Sequence, residues 1–462
     1  MKTQTRNHLS SLLFALPLVI ALCARMSHLT QSGFTIDELV SIDLAEHFEW
    51  RNLFTDNHPP LSVLFLKLFT AVSLNELSAR LPSVLFSTAA VGLLGVLLRA
   101  RWGMKMAVVG MLFHALAPLS IEQAQMTRPY AFLEFFALLQ FTAFARWEAN
   151  PTKDRRTRLL VTTFLAIATS YLAVLLFVLE LIYLQAKKRN PVWILWTCFI
   201  LLFAIYSSRE LLQWKSLAWQ QMRYRFESFG YLPIDPVAAF ANYSNLTALG
   251  LALPFLSLTI KRRTPDWGRI APPLIAIFSL LATLIFFAQL SKYSIFQARY
   301  FAFALPAAIL GFCQVLRSEF AAQDQKQRLM AWLSVALVLG GALHTLQNFY
   351  PVQKQKWREA SETISIYPHS KVITDLSLNL QFPYFSRYNI VVQPLVDAND
   401  PIQQIKFELK TTPNVFILDT YWDYINYQQA LLRGAASEKI KVDNLSVIEE
   451  NSENVVLLRL YR

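Results

Sequence analysis

The chain alternates long apolar runs with short polar segments over most of its length. Clear examples of the apolar runs are residues 81–98, 104–119, 271–290 and 330–346. Each approaches the length of about 20 residues that a helix needs to cross a bilayer. The pattern predicts an all-α polytopic membrane protein.

The first apolar run, residues 9–24, follows a short basic leader that contains Lys2 and Arg6. A signal peptide has the same pattern, but no small-residue cleavage site precedes His28. A retained helix is therefore favoured over a cleaved leader.

For two apolar runs the number of membrane crossings is ambiguous, and the distribution of basic residues decides between the alternatives. Run 60–73 is short and carries Lys67, and run 159–185 is too long for one crossing but short for two. Lys and Arg accumulate in short cytoplasmic loops. If run 60–73 is a surface helix and run 159–185 a tight hairpin of two short helices, every dense basic cluster lies on one side. This assignment predicts about eleven transmembrane helices, with a cytoplasmic N-terminus and an extracytoplasmic C-terminus.

Composition and charge agree with a membrane protein. The chain is 54% hydrophobic and has a net charge of +12. The excess charge lies mostly in the predicted cytoplasmic loops, so it requires no nucleic-acid partner. Cys23, Cys198 and Cys313 are far apart in apolar runs, which excludes a disulfide framework or a CxxC metal motif.

The first predicted external segment, residues 28–80, is rich in acids. Thr35 to Glu38 fit a capping box, and a helix is predicted to follow through Trp50. Asp37 would lie in its first turn, where the helix dipole favours an ionised carboxylate. The same residues equally suit a helix start without any chemistry.

A second polar group in this segment is Asp56-Asn57-His58, which is followed by Pro59 and Pro60. It predicts a rigid turn that begins the next helix, since proline suits the first helical position. A further external segment, 207–243, has apolar residues at helical spacing with basic residues between them. That spacing is typical of a juxtamembrane helix in the headgroup plane.

Cations occur in other predicted external loops, at Arg128, Lys292 and Arg299. Each alone could equally anchor its helix or bind a lipid headgroup. Carboxylates and cations together suit a phosphate-linked lipid and a hydroxyl acceptor. A carboxylate would take the proton of the acceptor, and the cations would stabilise the leaving phosphate.

The composition changes after Tyr350. The last hundred or so residues are polar and nearly balanced in charge, with strand-like runs KVIT, NVFIL and NVVLLRL. We predict a transmembrane domain over residues 1–349 and a small extracytoplasmic α/β domain over residues 350–462.

Four short motifs follow one another in the first 140 residues: IDEL at 36–39, DNHPPL at 56–61, ARLPSVLF at 79–86 and TRPYAF at 127–132. Weaker ones are ARYFAFALP at 298–306 and KQKWREASETI at 354–364. In this order and spacing the chain resembles the GT-C glycosyltransferase superfamily. It is most similar to the dolichyl-phosphate-mannose protein mannosyltransferase family and its bacterial relatives.

The resemblance implies a GT-C fold and transfer of a sugar, with inversion, from a polyprenyl-phosphate donor in the cell (inner) membrane to an acceptor hydroxyl. The acceptor would be a glycolipid, a glycan or a protein of the cell envelope. Asp37 would be the catalytic base, supported by Glu38 and Asp56. The donor phosphate would be held by Arg128, Lys292, Arg299 and Tyr300, and the site would be shaped by His58, Pro59, Pro60 and Tyr130.

The chain departs from the family pattern in three places. Thr127 replaces the usual small residue before RPY, Ser62 replaces the tyrosine often found after HPPL, and the C-terminal domain has no recognisable acceptor motif. Some relatives bind a divalent cation near the acids, which is the one cofactor that the resemblance leaves open. His28, His47 and His58 lack a metal-ligand spacing and read more simply as surface histidines.

A transporter or lipid flippase is the alternative from another class. Transporters concentrate ionisable groups near the bilayer midplane, often at broken helices in repeated halves. Here Glu134 and Glu180 are the main charges within apolar runs, and no repeat relates the halves. An O-antigen ligase or polymerase is a third hypothesis, but such an enzyme would use a diphosphate carrier.

Overall fold

The computed structural model describes most of the two ends of the chain and little of its middle. The described residues are 2–48, 59–71, 73–170, 173, 180, 249–250, 253, 302–349, 357–374, 384–385, 388–396, 400–420, 429, 431–445 and 455–461. The chain divides into two compact units. The first, the helical unit, comprises Met1–Ser27, Phe48–Leu74 and Ser78–Tyr350, and the second, the mixed unit, comprises His28–His47, Asn75–Leu77 and Pro351–Arg462.

The described elements are mostly helices. In chain order they are α1 (Lys2–Met26), α2 (Ile36–Glu46), α3 (Leu61–Thr70), α4 (Glu76–Ala115), α5 (Pro118–Ala124), α6 (Tyr130–Ala149), α7 (Lys153–Thr169), α8 (Leu305–Phe320), α9 (Gln325–Phe349), α10 (Trp357–Ser365), β1 (Lys371–Thr374), β2 (Val391–Pro394), α11 (Pro401–Glu408), β3 (Asn414–Thr420), β4 (Lys441–Asn444) and β5 (Val455–Tyr461).

Helix α4 is a hairpin of two helices rather than one straight rod. Gly103 interrupts it with φ 82° and ψ 179°. A methyl group added at Gly110 would clash with Leu98, and one added at Gly95 would clash with Met111. In a continuous helix residues 98 and 110 would be about 18 Å apart along the axis, so the chain must reverse at Gly103. The apolar runs predicted at 81–98 and 104–119 are therefore two helices that pack side by side.

Three described helical segments are long and apolar enough to cross a membrane: Glu76–Ala115, Ala302–Phe320 and Gln325–Gln347. The apolar stretches Ser11–Met26 and Leu61–Thr70 are shorter. Residues 181–248 and most of 251–301 lie outside the described part of the chain, as does the predicted juxtamembrane helix within 207–243. The predicted number of crossings therefore stays a prediction.

The two ambiguous runs are both short helices where the structure describes them. Helix α3 has ten residues, about 15 Å, which is half the thickness of a bilayer core. Helix α7 ends at Thr169, because Ser170 has extended backbone. The run 159–185 thus contains a helix end, which fits its predicted division into two helices.

Aromatic side chains hold α3 against its neighbours in the helical unit. The Phe86 ring of α4 lies 4.9 Å from that of Phe65 in α3, and 4.6 and 5.4 Å from those of Phe132 and Phe136 in α6, between centroids. Such ring pairs add to the stabilisation from apolar burial. They fix the start of α3, where Pro59 and Pro60 lie.

The mixed unit contains a five-stranded sheet in the order β2-β1-β3-β5-β4. Strand β1 is parallel to β2 and β3, whereas β5 is antiparallel to β3 and β4. Buried Ile373, Val415 and Leu460 pack with Ile405 of α11. The predicted strand runs KVIT, NVFIL and NVVLLRL are confirmed as β1, β3 and β5. Strands β2 and β4 were not predicted, since each is only four residues long, with its two end residues exposed and its two central residues half-buried.

Candidate functional site

The segment that carries Asp37 begins helix α2 in the mixed unit. Thr35 is the N-cap, and its backbone N–H donates to Glu38 Oε2 at 2.9 Å, while Glu38 N–H donates to Thr35 Oγ1 at 3.4 Å. The predicted capping box is confirmed. The helix ends at Glu46 and not at Trp50 as predicted, because the backbone of His47, at φ −92° and ψ 46°, leaves the helical conformation. His47 Nδ1 also lies 3.0 Å from Asp43 Oδ1, so the side chain of the C-cap residue contacts the last turn of α2.

Asp37 and Glu38 are neighbours in sequence but occupy different environments. The Glu38 side chain is fully buried and bound into the cap, so its geometry is that of a residue that fixes the helix start. Asp37 is half-buried, one position earlier in the first turn. Of the two carboxylates, Asp37 is therefore the one better placed to meet a ligand.

Arg128 and Tyr130 lie at the junction between α5 and α6 in the helical unit. Pro129 is the residue before α6, and Tyr130 begins the helix and is almost fully buried. Arg128 is only 7% exposed, so its side chain does not reach outward as an arginine that anchors a helix at a membrane surface would. Arg80 in α4 is a second buried cation of this unit. The motif ARLPSVLF contains it, but no role could be assigned to it from the motif alone.

A buried polar network that was not predicted lies in the helical unit. Arg25, in the last turn of α1, donates to Ser87 Oγ at 2.7 Å and to Ser120 Oγ at 2.9 Å. Ser120 in turn donates to Glu134 Oε2 at 2.9 Å, and Ser87 Oγ lies 3.4 Å from the same oxygen. The serine hydroxyls thus accept from the cation and donate to the carboxylate, which links the two charges through charge-assisted hydrogen bonds.

His114 completes the network. Its Nε2 lies 2.7 Å from Glu134 Oε1, and its Nδ1 is buried and has no hydrogen-bond partner. In the neutral tautomer with hydrogen on Nε2, Nδ1 carries only a lone pair. In that tautomer His114 Nε2 donates to Glu134 Oε1, and the ring joins α4 to α6.

Hydrogen bonds also fix the chain between α4 and α6, which leads to Arg128. Arg25 donates to the Ala115 carbonyl at 3.0 Å, at the end of α4. Gln125 Nε2 donates to the carbonyls of Arg25 and Ser27 at 3.2 and 2.7 Å. The chain between α4 and α6 is thus attached to the end of α1 just before it reaches Arg128.

Glu180, the other charge noted within an apolar run, is also satisfied. Gln140 Nε2 of α6 donates to its two carboxyl oxygens at 3.0 and 2.8 Å. Both glutamates singled out in the apolar runs therefore have hydrogen-bond partners within the helical unit.

The remaining predicted site residues divide into two groups. Pro59 is buried and Pro60 half-buried at the start of α3, as the prediction of a helix start requires. Asp56, His58, Lys292, Arg299 and Tyr300 lie outside the described residues. Their assembly with Asp37 and Arg128 into one site stays a prediction.

The described residues do not fit a metal site. Among them, no three His, Cys, Asp or Glu side chains group as ligands. His28 Nδ1 contacts Gln31, and His47 Nδ1 contacts Asp43. We assign no step of a reaction to a metal.

Comparisons with known proteins show the fold. No family model matches the chain, and no curated protein sequence matches it. The crystal structure of ArnT from Cupriavidus metallidurans in the apo state is similar, with a TM-score of 0.57 and 12% sequence identity over 98% of both chains. The crystal structure of the same protein bound to undecaprenyl phosphate is similar with a TM-score of 0.54 and 12% identity over 97% of both chains.

This likeness extends over nearly the whole chain and includes both its helices and its sheet. It supports the predicted GT-C type of fold and, with the apolar helices, a multi-pass membrane protein. The nearer relationship to the mannosyltransferase family stays a prediction.

Proposed function

We propose that the protein is an integral-membrane glycosyltransferase that moves a sugar from a polyprenyl-phosphate donor to an acceptor hydroxyl on the extracytoplasmic face, with inversion. The observation that carries this proposal is the fold, shared over 97% of the chain with a protein whose crystal structure is bound to undecaprenyl phosphate. The half-buried Asp37 and the buried Arg128 supply the two chemical groups that such a reaction needs.

The proposed reaction is a single displacement. The acceptor oxygen attacks the anomeric carbon from the face opposite the phosphate, and the bond between that carbon and the phosphate oxygen breaks. Asp37 takes the proton of the acceptor hydroxyl as general base. The polyprenyl phosphate leaves with an added negative charge, which Arg128, and by resemblance Lys292, Arg299 and Tyr300, stabilise.

A strain that lacks the protein tests this function directly. Mass spectrometry of its cell-envelope glycoconjugates should find one species that has lost a sugar. The intact gene should restore that sugar, whereas the variant Asp37→Asn should not, since the amide cannot accept the proton.

Asp43→Asn is the matched control, because Asp43 lies six residues further along α2 and on a different face. It should restore the sugar in full. Full restoration by Asp37→Asn would remove Asp37 from the mechanism, and an unchanged glycoconjugate profile after deletion would contradict the proposed function.

Binding of undecaprenyl phosphate to the purified protein tests the phosphate-binding role. We expect Arg128→Ala to raise the dissociation constant about tenfold or more, because a charge-assisted contact to phosphate contributes about 1.5–3 kcal/mol. Arg156→Ala, at an exposed position near the start of α7, should leave it unchanged. Equal affinities of the Arg128→Ala variant and the unaltered protein would show that Arg128 only supports the fold.

The buried charges do not favour the transporter alternative. Arg25 lies in the last turn of α1, and His114 in the last turn of α4. Two of the charged or titratable members of the network thus lie at helix ends, whereas a transport site is expected near midspan.

A further inference from the structure

The chain just before helix α2 is held by an arginine from the C-terminal part of the mixed unit. Arg358 of α10 donates from Nη2 to the Gln31 carbonyl at 2.7 Å and from Nη1 to the Thr30 carbonyl at 3.2 Å. The same Nη1 lies 3.5 Å from Glu76 Oε1. One guanidinium thus binds two successive carbonyls and a carboxylate, which matches its planar set of donors.

Tyr384 holds the same segment one step closer to the helix. Its hydroxyl accepts from the Phe34 backbone N–H at 2.9 Å and donates to Glu76 Oε1 at 2.8 Å. The Phe34 ring is buried and lies 5.7 Å from the Tyr384 ring, between centroids. Phe34 immediately precedes the N-cap Thr35, so Tyr384 fixes the backbone three residues before Asp37.

The fit around these contacts is close. A methyl group added at Gly33 would lie 3.4 Å from both Arg358 Cβ and the Tyr384 hydroxyl, which is ordinary contact distance. Trp357, next to Arg358, is fully buried, and Phe385, next to Tyr384, is nearly so. Both residues that hold the segment are therefore anchored by buried aromatic neighbours.

These contacts have a consequence for Asp37 because of the capping box. The Thr35 N–H and the Glu38 carboxylate bond each other, so the first turn of α2 is rigidly coupled to the N-cap. Rigid placement of the N-cap therefore sets the position from which the Asp37 side chain projects. A general base must lie within hydrogen-bond reach of its proton, so an error of about 1 Å in that position lowers the rate sharply.

We propose that Arg358 and Tyr384 are positioning residues that orient Asp37, and that this orientation is the role of the C-terminal domain. The inference rests on the proposed function, because it assigns the domain a part in the same reaction. It requires no contact between the domain and either substrate.

The test uses the full-length protein and the variant Tyr384→Phe, which removes one oxygen and keeps the ring. Hydrogen–deuterium exchange should show faster exchange, by about tenfold, at the Phe34 amide, which loses its acceptor. Tyr388→Phe, an exposed tyrosine in the same unit, should leave this exchange unchanged. Unaltered exchange at the Phe34 amide in Tyr384→Phe would show that Tyr384 does not hold this segment, and would overturn its positioning role.

Two functional measurements separate positioning from general damage. Tyr384→Phe should restore the missing sugar of the deletion strain about tenfold more slowly than the unaltered protein, while the dissociation constant for undecaprenyl phosphate stays within about twofold. Arg358→Ala should behave in the same way, and Arg358→Lys should recover part of the rate. A loss of lipid binding that parallels the loss of rate would show a merely structural role.

The outcomes also distinguish this inference from the proposed function. If the deletion strain loses no sugar, the proposed function fails, whatever the variants do. If it loses a sugar that Tyr384→Phe restores at the full rate, the function stands and the positioning role is wrong.

Discussion

Arg25 and Glu134 are both fully buried in the helical unit and are joined by two serine hydroxyls. Moving an ion out of water costs several kcal/mol, and the charge of a hydrogen-bonded partner offsets that cost. Neither residue could be assigned a partner from the sequence, since 109 positions separate them and each lies within or beside an apolar run. By contrast, the capping box at Thr35 was predictable because its partners are three residues apart.

Glu134→Gln keeps the shape of the side chain and removes its charge, so Arg25 is left buried without a compensating anion. We expect the free energy of unfolding to fall by about 3 kcal/mol or more, measured by thermal unfolding in detergent. Asp154→Asn is the control, because Asp154 and Arg158 form an exposed ion pair and its loss should change stability by less than about 1 kcal/mol.

The double variant Arg25→Gln with Glu134→Gln checks the cause of that loss. Removal of both charges should recover part of the stability that Glu134→Gln loses, because no uncompensated charge remains. If the double variant is less stable than the unaltered protein by the sum of the losses of the two single variants, the two charges do not interact.

At the scale of elements, the hairpin at Gly103 shows what hydrophobic patterning can and cannot predict. The two apolar runs were identified because the basic residues Arg99, Arg101 and Lys105 separate them. The tight packing of the two helices could not be predicted, because it depends on Gly95 lying opposite Met111 and Gly110 lying opposite Leu98. Short elements were the hardest to predict. Strands β2 and β4 have only partial burial, and the end of α2 depends on the conformation of His47.

Gly103→Ala should destabilise this hairpin. A residue with a Cβ is strained at φ 82° and ψ 179°, at a cost of about 1–3 kcal/mol. Thermal unfolding should show a lower midpoint for this variant. Gly340→Ala, inside α9 with open space around its Cα, should keep or raise the midpoint, since alanine favours a helix. A lower midpoint for Gly340→Ala alone would contradict this account.

At the scale of the whole molecule, the similarity of fold at 12% sequence identity fits how membrane helices are constrained. Apolar length and internal backbone hydrogen bonding restrict the helices more than the identity of their side chains does. The fold class was therefore predictable from patterning and a few motifs. The candidate site was less predictable than the fold class. Its residues come from segments far apart in the sequence, so whether they lie close together depends on tertiary packing.

The predicted orientation is testable with single cysteines in a protein whose Cys23, Cys198 and Cys313 are replaced by serine. A membrane-impermeant maleimide should label Ser437→Cys in right-side-out vesicles, since this exposed position lies in the segment 350–462 that we predict to be extracytoplasmic. It should label Lys153→Cys, at the start of α7, only after the vesicles are opened. Labelling of both positions in sealed vesicles would contradict the predicted topology.

The outer strands of the sheet, as far as the structure describes it, are β2 and β4, and they differ in chemistry. Strand β4 carries Lys441 and Asp443, and charges of this kind discourage pairing between molecules. Strand β2 reads VVQP, has no charge and exposes 54% of Val391. Aggregation of residues 350–462, if they are produced without the rest of the chain, should therefore begin by strand addition at β2, and Val391→Lys should suppress it.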